Sequence, residues 1–239
     1  MYGATKIAVV VPAHNEERLI DLTLARMPTL VDAIYVVDDA SSDRTWSKLA
    51  AIDDPRLRRI RHASNRGVGA AIVSGYYQAL RDDNQIIAVM AGDAQMDPED
   101  LPALLHPIAQ GEASYVKGNR FRHPDVRRMP RLRRWAGRGL SLITRAFTGL
   151  DVDDTQCGYT ALAAPCAAAL PLDELWPRYG YPNDLLGLLA QGGFAVAEVP
   201  VRPVYAGEHS GIRPWHAALI VGLIVRRWSR FRRAHNGRF

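Results

Sequence analysis

Apolar runs and segments of helical period take turns along the first half of the chain. "KIAVVVPA" (6–13) is a short continuous apolar run rich in valine, the pattern of a strand buried on both faces. "AIYVVDDA" (33–40) repeats it, "RLRRIRH" (56–62) is a weaker third run and "QIIAVMAG" (85–92) a fourth. Between them, "NEERLIDLTLARM" places Leu19, Leu22, Thr23 and Met27 near helical spacing, with Asn15 as a candidate cap. "DRTWSKLAAI" follows Ser41 and Ser42, either of which suits a cap, and "AAIVSGYYQAL" follows the loop "NRGVG". After the fourth run Asp97 suits a cap, Pro98 the first helical position, Glu99 and Asp100 the positive helix end, and Gly111 the stop. Strands alternating with helices over short links imply a mostly parallel α/β sheet covered by helices, with ligands at the carboxyl ends of the strands.

Beyond "ASYVKGNRF" (113–121) the alternation fails. An arginine-rich excursion over 122–154 leads to "DDTQCGYTALA", read as loop plus strand. "GYPNDLLGLLAQGG" reads as a short helix, "FAVAEVPVRPVY" as a strand and "GEHSGIR" as a loop. "PWHAALIVGLIVRRWSRFRRA" predicts a closing helix or helix pair. The expected division is one domain over 1–213 and a basic, amphipathic helical segment over 214–239, a candidate for membrane association.

Composition narrows the class. At 239 residues, 48% hydrophobic and 23% charged, the chain has enough apolar material for a full core. Two cysteines, Cys157 and Cys166, form no disulfide framework and suit a reducing compartment. The start reaches charge and proline too early for a signal peptide. The apolar run 216–225 is about half of the roughly 20 residues that a spanning helix needs. The net charge of +5 is concentrated in arginine clusters at 120–138 and 226–238, which favours a phosphate-bearing partner or a solvated basic face.

Several positions carry candidate chemistry. Asp38 and Asp39 end the second strand, where carboxylates either accept from a nucleobase or ribose or cap the next helix. "NRGVG" lets backbone N–H groups approach phosphate, although it lacks a full phosphate-loop pattern. Asp93 and Gln95 fall between a strand end and a cap that already occupies Asp97, so they are placed to face a ligand. A hard ion such as Mg2+ or Mn2+ accepts one carboxylate together with substrate phosphate oxygens. On a helical wheel Arg131, Arg134, Arg138 and Arg145 fall on one side, and Leu132, Ala136, Leu140, Ile143 and Phe147 on another. That stripe packs either on the core or against anionic lipid. The seven histidines show no zinc spacing with the cysteines, and no nucleophile elbow is present.

Taken in order, "VVVPAHNEE", "VVDDASSDRT", "NRGVGAA", "GDAQMDPEDLP", "YVKGNRF", "DDTQCGYTAL" and "NDLLGLLAQGGFAVAEVPV" resemble family-2 glycosyltransferases of GT-A fold. The resemblance spans roughly 6–213 and is nearest to the dolichol-phosphate mannosyltransferase and polyprenyl-phosphate glycosyltransferase branch. It implies a nucleotide-sugar site with Pro12, Ala13, His14 and Glu16 near base and ribose, Asp39 near the base, and Arg66 and Gly67 in the donor loop. It implies Asp93 and Gln95 at the metal and diphosphate, Arg120 near the reacting phosphates, and Arg120, Arg131 and Gln156 on the acceptor side. Asp184 falls where many family members keep a base. The family stretch Asp-x-Asp-x-Gln is broken by Ala91, so Asp93 works with Gln95 and the donor's own diphosphate oxygens.

The expectation is thus a Mg2+- or Mn2+-dependent, inverting transfer of sugar from a nucleotide-sugar donor to a polyprenyl phosphate, with Asp93, Arg120 and Asp184 in the catalytic set. A phosphate acceptor is already ionised near neutral pH, so Asp184 positions rather than deprotonates. A hydroxyl acceptor with Asp184 as base is the alternative, and a basic nucleic-acid-binding protein is a remote one. Expected partners are an anionic membrane surface or a membrane-anchoring subunit, and no nucleic acid. The expected location is the cytoplasm, peripherally at the cytoplasmic face of a membrane.

Overall fold

The computed structural model describes residues 5–204 and 214–236, with side chains of the last helix described for 218–229. The predicted loop "GEHSGIR" lies outside the described residues.

The apolar runs become strands β1 (Ile7–Ala13), β2 (Ala33–Asp38), β3 (Leu57–Arg61) and β4 (Ile86–Val89). They are joined by helices α1 (Ile20–Ala25), α2 (Thr45–Ala51) and α3 (Val68–Arg81). The chain continues through α4 (Leu101–Ala109), β5 (Tyr115–Asn119), α5 (Arg131–Thr148), β6 (Thr160–Ala163), α6 (Ala164–Ala169), α7 (Tyr181–Gln191) and β7 (Val196–Pro200). It closes on a single helix, α8 (Pro214–Asn236). The seven strands form one sheet in the order β3-β2-β1-β4-β6-β5-β7. β6 runs antiparallel to both neighbours, and the other pairings are parallel. No helix among the described residues is long and apolar enough to cross a membrane.

Strand periodicity sorts the core onto two faces. Ile7, Val9 and Val11 meet Ile20 and Leu24 of α1 and Leu101, Leu104 and Leu105 of α4. Ala8 and Val10 belong to the opposite cluster, with Ile72 and Tyr76 of α3 and Leu185, Leu186 and Leu189 of α7. Burial of both faces is why β1 reads as unbroken valine rather than as alternation. Helix α3 lies close on β1 because Gly75 faces Val10, where a Cβ would come within 2.3 Å of the valine methyl.

Three local expectations change. Asn15 caps nothing: its backbone is left-handed (φ 59°) and its side chain accepts from the Ser42 N–H. Neither Ser41 nor Ser42 caps α2, whose first N–H turns to Asp43 (Thr45 N to Asp43 Oδ1, 2.9 Å). In α5 the inward face is Gly137, Ser141 and Thr144, not the leucine stripe. Gly137 is needed there because the Phe121 ring would lie 2.9 Å from a Cβ. Pro98 and Gly111 behave as read, while Asp97 caps a single 3-10 turn (Pro98–Asp100) that leads into α4, accepting from the Glu99 N–H.

Candidate active site

The carboxyl ends of β1 and β2 carry a platform of interlocked loops. The Asn15 N–H donates to Ser41 Oγ (2.9 Å), Glu16 N–H to Thr45 Oγ1 (2.8 Å) and Glu17 N–H to Asp43 Oδ2 (3.1 Å). His14 reaches the Asp39 carbonyl through Nδ1 (2.9 Å). Asn15 and Ala40 both hold positive φ without being glycine, a strained arrangement that clusters at ligand sites. Asp38 is buried and engaged by the Ser41 N–H and by Arg61 Nε, 3.1 Å away.

Asp39 is the hub of the donor-side loops. One carboxylate oxygen takes His62 Nδ1 (2.6 Å) and the Arg66 N–H (2.9 Å), and the other takes the Gly67 N–H (2.6 Å). Burial pushes this carboxyl up, but the Arg66, His62 and Gly67 donors outweigh it and hold it below the usual range. The loop "NRGVG" is therefore shaped from within by a buried carboxylate. Gly67 (φ 98°) accommodates the Pro177 carbonyl, which would sit 2.5 Å from a Cβ.

A cleft of about 230 Å3 opens at the end of β4, lined in part by Pro12, Ala91, Asp93, Gln95, Arg120 and Gln156. It lies beside β1, the point where the strand order reverses, and α/β sheets of this kind bind ligands there. Asp93 accepts the Gln95 N–H (3.0 Å) across Ala94, whose φ is +54°, so the turn presents carboxylate and amide together. A carboxylate and an amide oxygen on one turn are hard donors that fit Mg2+ or Mn2+, with further oxygens supplied by ligand and water. Among the described residues no cluster of three or more His, Cys, Asp or Glu is placed to hold a metal by itself. Ala91, where a carboxylate would stand as a second one beside Asp93, lines the same cleft.

Arg120 enters the cleft from the end of β5 on a rigid mount. Its Nε and Nη2 bind the two oxygens of Asp154 (2.8 and 2.9 Å), and its backbone N–H adds a third bond (3.1 Å). Asp154 is fully buried. Burial raises its carboxyl, but the Arg120 guanidinium prevails and holds it below the ordinary value. Glu198 of β7 fixes the same loop by accepting the Asp153 and Asp154 N–H groups, and buried Lys117 donates to the Cys157 carbonyl. Burial depresses the Lys117 ammonium. Gln156 is oriented by Asn183, which in turn donates to Thr144 of α5 (2.6 and 2.7 Å).

Asp184 is not in this cleft. It lines a separate cavity with Glu174, Trp176 and Arg227. Arg227 of α8 grips both its oxygens (2.8 Å each), and the Trp176 N–H adds a further bond (2.9 Å). Ala13, His14, Glu16, Asp39, Arg66 and Gly67 sit on the adjoining platform and loop rather than in the cleft lining, and Arg131 is an exposed residue at the start of α5. The cleft also contains residues that were not among the expected site positions: Met96, Tyr181 and Arg202, the last paired with Asp97 (2.8 Å). The run "VPVRPV" held the only signal for Arg202, a lone cation after an apolar strand.

A mostly parallel sheet with one antiparallel strand, a strand-end platform and a cleft joining carboxylate, amide and arginine have the architecture of the GT-A fold. Residues 8–163 match the family described as glycosyl transferase family 2, and the chain belongs to that family of glycosyltransferases. It is 30% identical over 206 residues to an undecaprenyl-phosphate mannosyltransferase of Micrococcus luteus, covering 82% of each chain. It is 27% identical to a UDP-N-acetylglucosamine–dolichyl-phosphate N-acetylglucosaminyltransferase of Methanococcus voltae, covering 87% of this chain and 88% of the relative. In structure it resembles glucosyl-3-phosphoglycerate synthase of Mycobacterium tuberculosis in complex with phosphoglyceric acid (TM-score 0.71, 23% identity, 95% of this chain and 81% of that one). At that identity the likeness is one of fold.

Proposed function

We propose that this glycosyltransferase moves a sugar from a nucleotide-sugar donor to a polyprenyl phosphate at the cytoplasmic face of a membrane, with inversion at the anomeric carbon. The carrying observation is the single cleft shared by the Asp93–Gln95 turn and Arg120, the latter held by Asp154. The names of the relatives in Micrococcus luteus and Methanococcus voltae support a polyprenyl-type acceptor; inversion rests on the family resemblance.

In this reading the platform at 12–16, with Asp39 and the Arg66–Gly67 loop behind it, receives the nucleoside. Asp93 and Gln95 hold the Mg2+ or Mn2+, which supplies charge neutralisation to the departing diphosphate. An acceptor phosphate oxygen attacks the anomeric carbon as the bond from that carbon to the donor's β-phosphate oxygen breaks, and the nucleoside diphosphate leaves with the electron pair. Arg120 draws the anionic acceptor towards the reaction centre, with Gln156 and Arg131 on its approach. No proton is removed from the acceptor, so no base is required. The hydroxyl-acceptor alternative needs a base in the cleft, and the Asp184 carboxylate is instead bound by Arg227 beside another cavity.

The test is a donor screen with purified protein, polyprenyl phosphate and Mn2+, reading nucleoside diphosphate release and the glycolipid product. Release that needs a hydroxyl acceptor and is indifferent to polyprenyl phosphate would refute the acceptor assignment.

A further inference from the structure

A strap of chain, residues 174–180, separates the two cavities. Tyr179 and Gly180 line the cleft, whereas Glu174, Trp176 and Pro177 line the cavity that holds Asp184. From Leu175 to Gly180 the strap forms neither helix nor strand, so its backbone is held by the groups that reach it from elsewhere. On one side these are Asp184 and Arg227. The Trp176 N–H donates to Asp184 Oδ2 (2.9 Å). Arg227, while gripping that carboxylate, also donates to the Glu174 carbonyl (3.0 Å) and side chain (3.1 Å). Helix α8 presses on the same strap, since a Cβ at left-handed Gly180 (φ 102°) would lie 2.8 Å from a Leu223 methyl.

On its other side the strap carries the loop 65–70, whose Arg66 and Gly67 N–H groups are held by Asp39. The Pro177 carbonyl accepts the Ala70 N–H (3.1 Å), one of the donors that α3 leaves unpaired at its start. A Cβ at Gly69 would lie 2.3 Å from the Trp176 carbonyl, and Arg178 reaches Asn65 through its side-chain oxygen and its carbonyl (3.4 Å each). At Gly67 and Gly69 strap and loop meet backbone to backbone. No compliant side chain stands between them there, so a displacement of one displaces the other.

Asp184 and Arg227 are only 4% and 6% exposed, and neither lines the cleft. A buried ion pair adds little net stability over well-packed apolar side chains of the same size, and its best-attested use is to fix register. The register fixed here is that of the strap. We infer that the Asp184–Arg227 pair positions the donor-side loop 65–70 through the strap 174–180, setting the loop for the nucleotide before it binds. This deepens the donor-site reading, and only the nucleotide arm of the test rests on that reading.

The test separates positioning from stability. Asp184→Leu together with Arg227→Met removes both charges, so no buried charge is left unpaired, and melting is expected to stay within a few degrees of the wild type. Amide exchange read by mass spectrometry should quicken in peptides covering 65–70 and 174–180. Affinity for UDP or GDP with Mn2+, read by calorimetry, should fall about tenfold, and the donor KM should rise more than kcat falls. Phe147→Ala removes the ring that meets Trp228 and leaves the strap's hydrogen bonds in place. It should do the reverse, lowering the melting temperature while sparing loop exchange and nucleotide affinity. Gly69→Ala disturbs the contact from the loop side and should quicken exchange in 174–180, which tests the coupling independently of the double variant. Combined with the double variant it should add little further loss. Wild-type exchange of 65–70 in the double variant overturns the inference, as does unchanged exchange of the strap in Gly69→Ala. So do fully additive losses, an unchanged affinity where the wild type binds nucleotide, or an equal loss of affinity in Phe147→Ala. If the wild type binds neither nucleotide while exchange follows the expectation, the donor reading fails and the coupling of strap to loop stands.

Discussion

Asp93 lies on a turn outside the core, so if it holds the ion as proposed its loss should be chemical rather than structural. We predict that Asp93→Ala abolishes sugar transfer and leaves the circular dichroism and melting temperature as in the wild type; normal turnover would remove its ligand role. Ala91 provides the converse. A carboxylate at that position adds a hard donor to the same cleft, so Ala91→Asp should lower the half-saturating Mn2+ concentration by about tenfold, read by metal titration of activity. An unchanged titration would mean that residue 91 does not face the ion. Asp154 acts through Arg120. Breaking a buried pair by removing one charge costs about 3 kcal/mol, so Asp154→Asn should lower the melting temperature and depress kcat more than the donor KM. The Asp154 and Asp39 carboxyls sit below their ordinary values in the folded chain. Their stabilisation is therefore present above about pH 4, the unfolded value, and is lost as pH falls through the depressed folded values. Acid denaturation monitored with Asp154→Asn should show a flatter acid limb; an identical limb would take Asp154 out of that linkage.

At the scale of elements, the sequence was most legible where one local rule acted alone. β1, β2 and β4 are buried on both faces, so their apolar runs were unambiguous, and the turn that leads into α4 and the stop after it needed only Asp97, Pro98 and Gly111. Legibility failed where tertiary packing chose between equal options. Asn15 and the serines at 41 and 42 had the right chemistry for caps, but the cross-loop bonds of the platform claimed them. In α5 periodicity separated arginines from leucines without telling which face meets the protein, because small Gly137, Ser141 and Thr144 form the seam. The site divides the same way: Asp93, Gln95, Arg120 and Gln156 were legible from motif order and share the cleft, whereas Arg202 and Asp154 emerge only from the fold. Asp184 shows the difference most sharply, since its position in the motif gave no hint of Arg227, 43 residues away. We predict that Asp184→Asn loosens α7 against α8, lowering the melting temperature, without removing a basic limb from the pH–rate profile. Loss of roughly 10²–10⁴-fold together with that limb is the signature of a general base and would overturn this positioning role.

For the molecule as a whole, the question is whether the C-terminal helix is a tail or part of the core. Its sequence, an apolar run followed by arginines, suits a detachable membrane anchor, and the packing of its described residues says otherwise. Ile220, Leu223 and Ile224 are buried, Trp228 meets Phe147 edge-on at 5.3 Å, and Arg227 neutralises Asp184. Burial of the three aliphatic side chains is worth about 2 kcal/mol each, a sum comparable to the roughly 5–15 kcal/mol stability of a typical domain. Removal of α8 would also leave the Asp184 carboxylate without its cation and uncover α7 at Gly187 and Gln191, which Arg227 covers. We therefore predict that deleting 215–239 lowers the melting temperature by more than 10 °C, on the order expected for a loss of several kcal/mol, or yields insoluble protein. Deleting only 230–239 spares every one of these contacts and should shift melting by no more than a few degrees. Both truncations would be compared by thermal denaturation and by turnover with a dispersed short-chain acceptor. A longer truncation that melts and turns over like the full chain would return α8 to the status of an appendage.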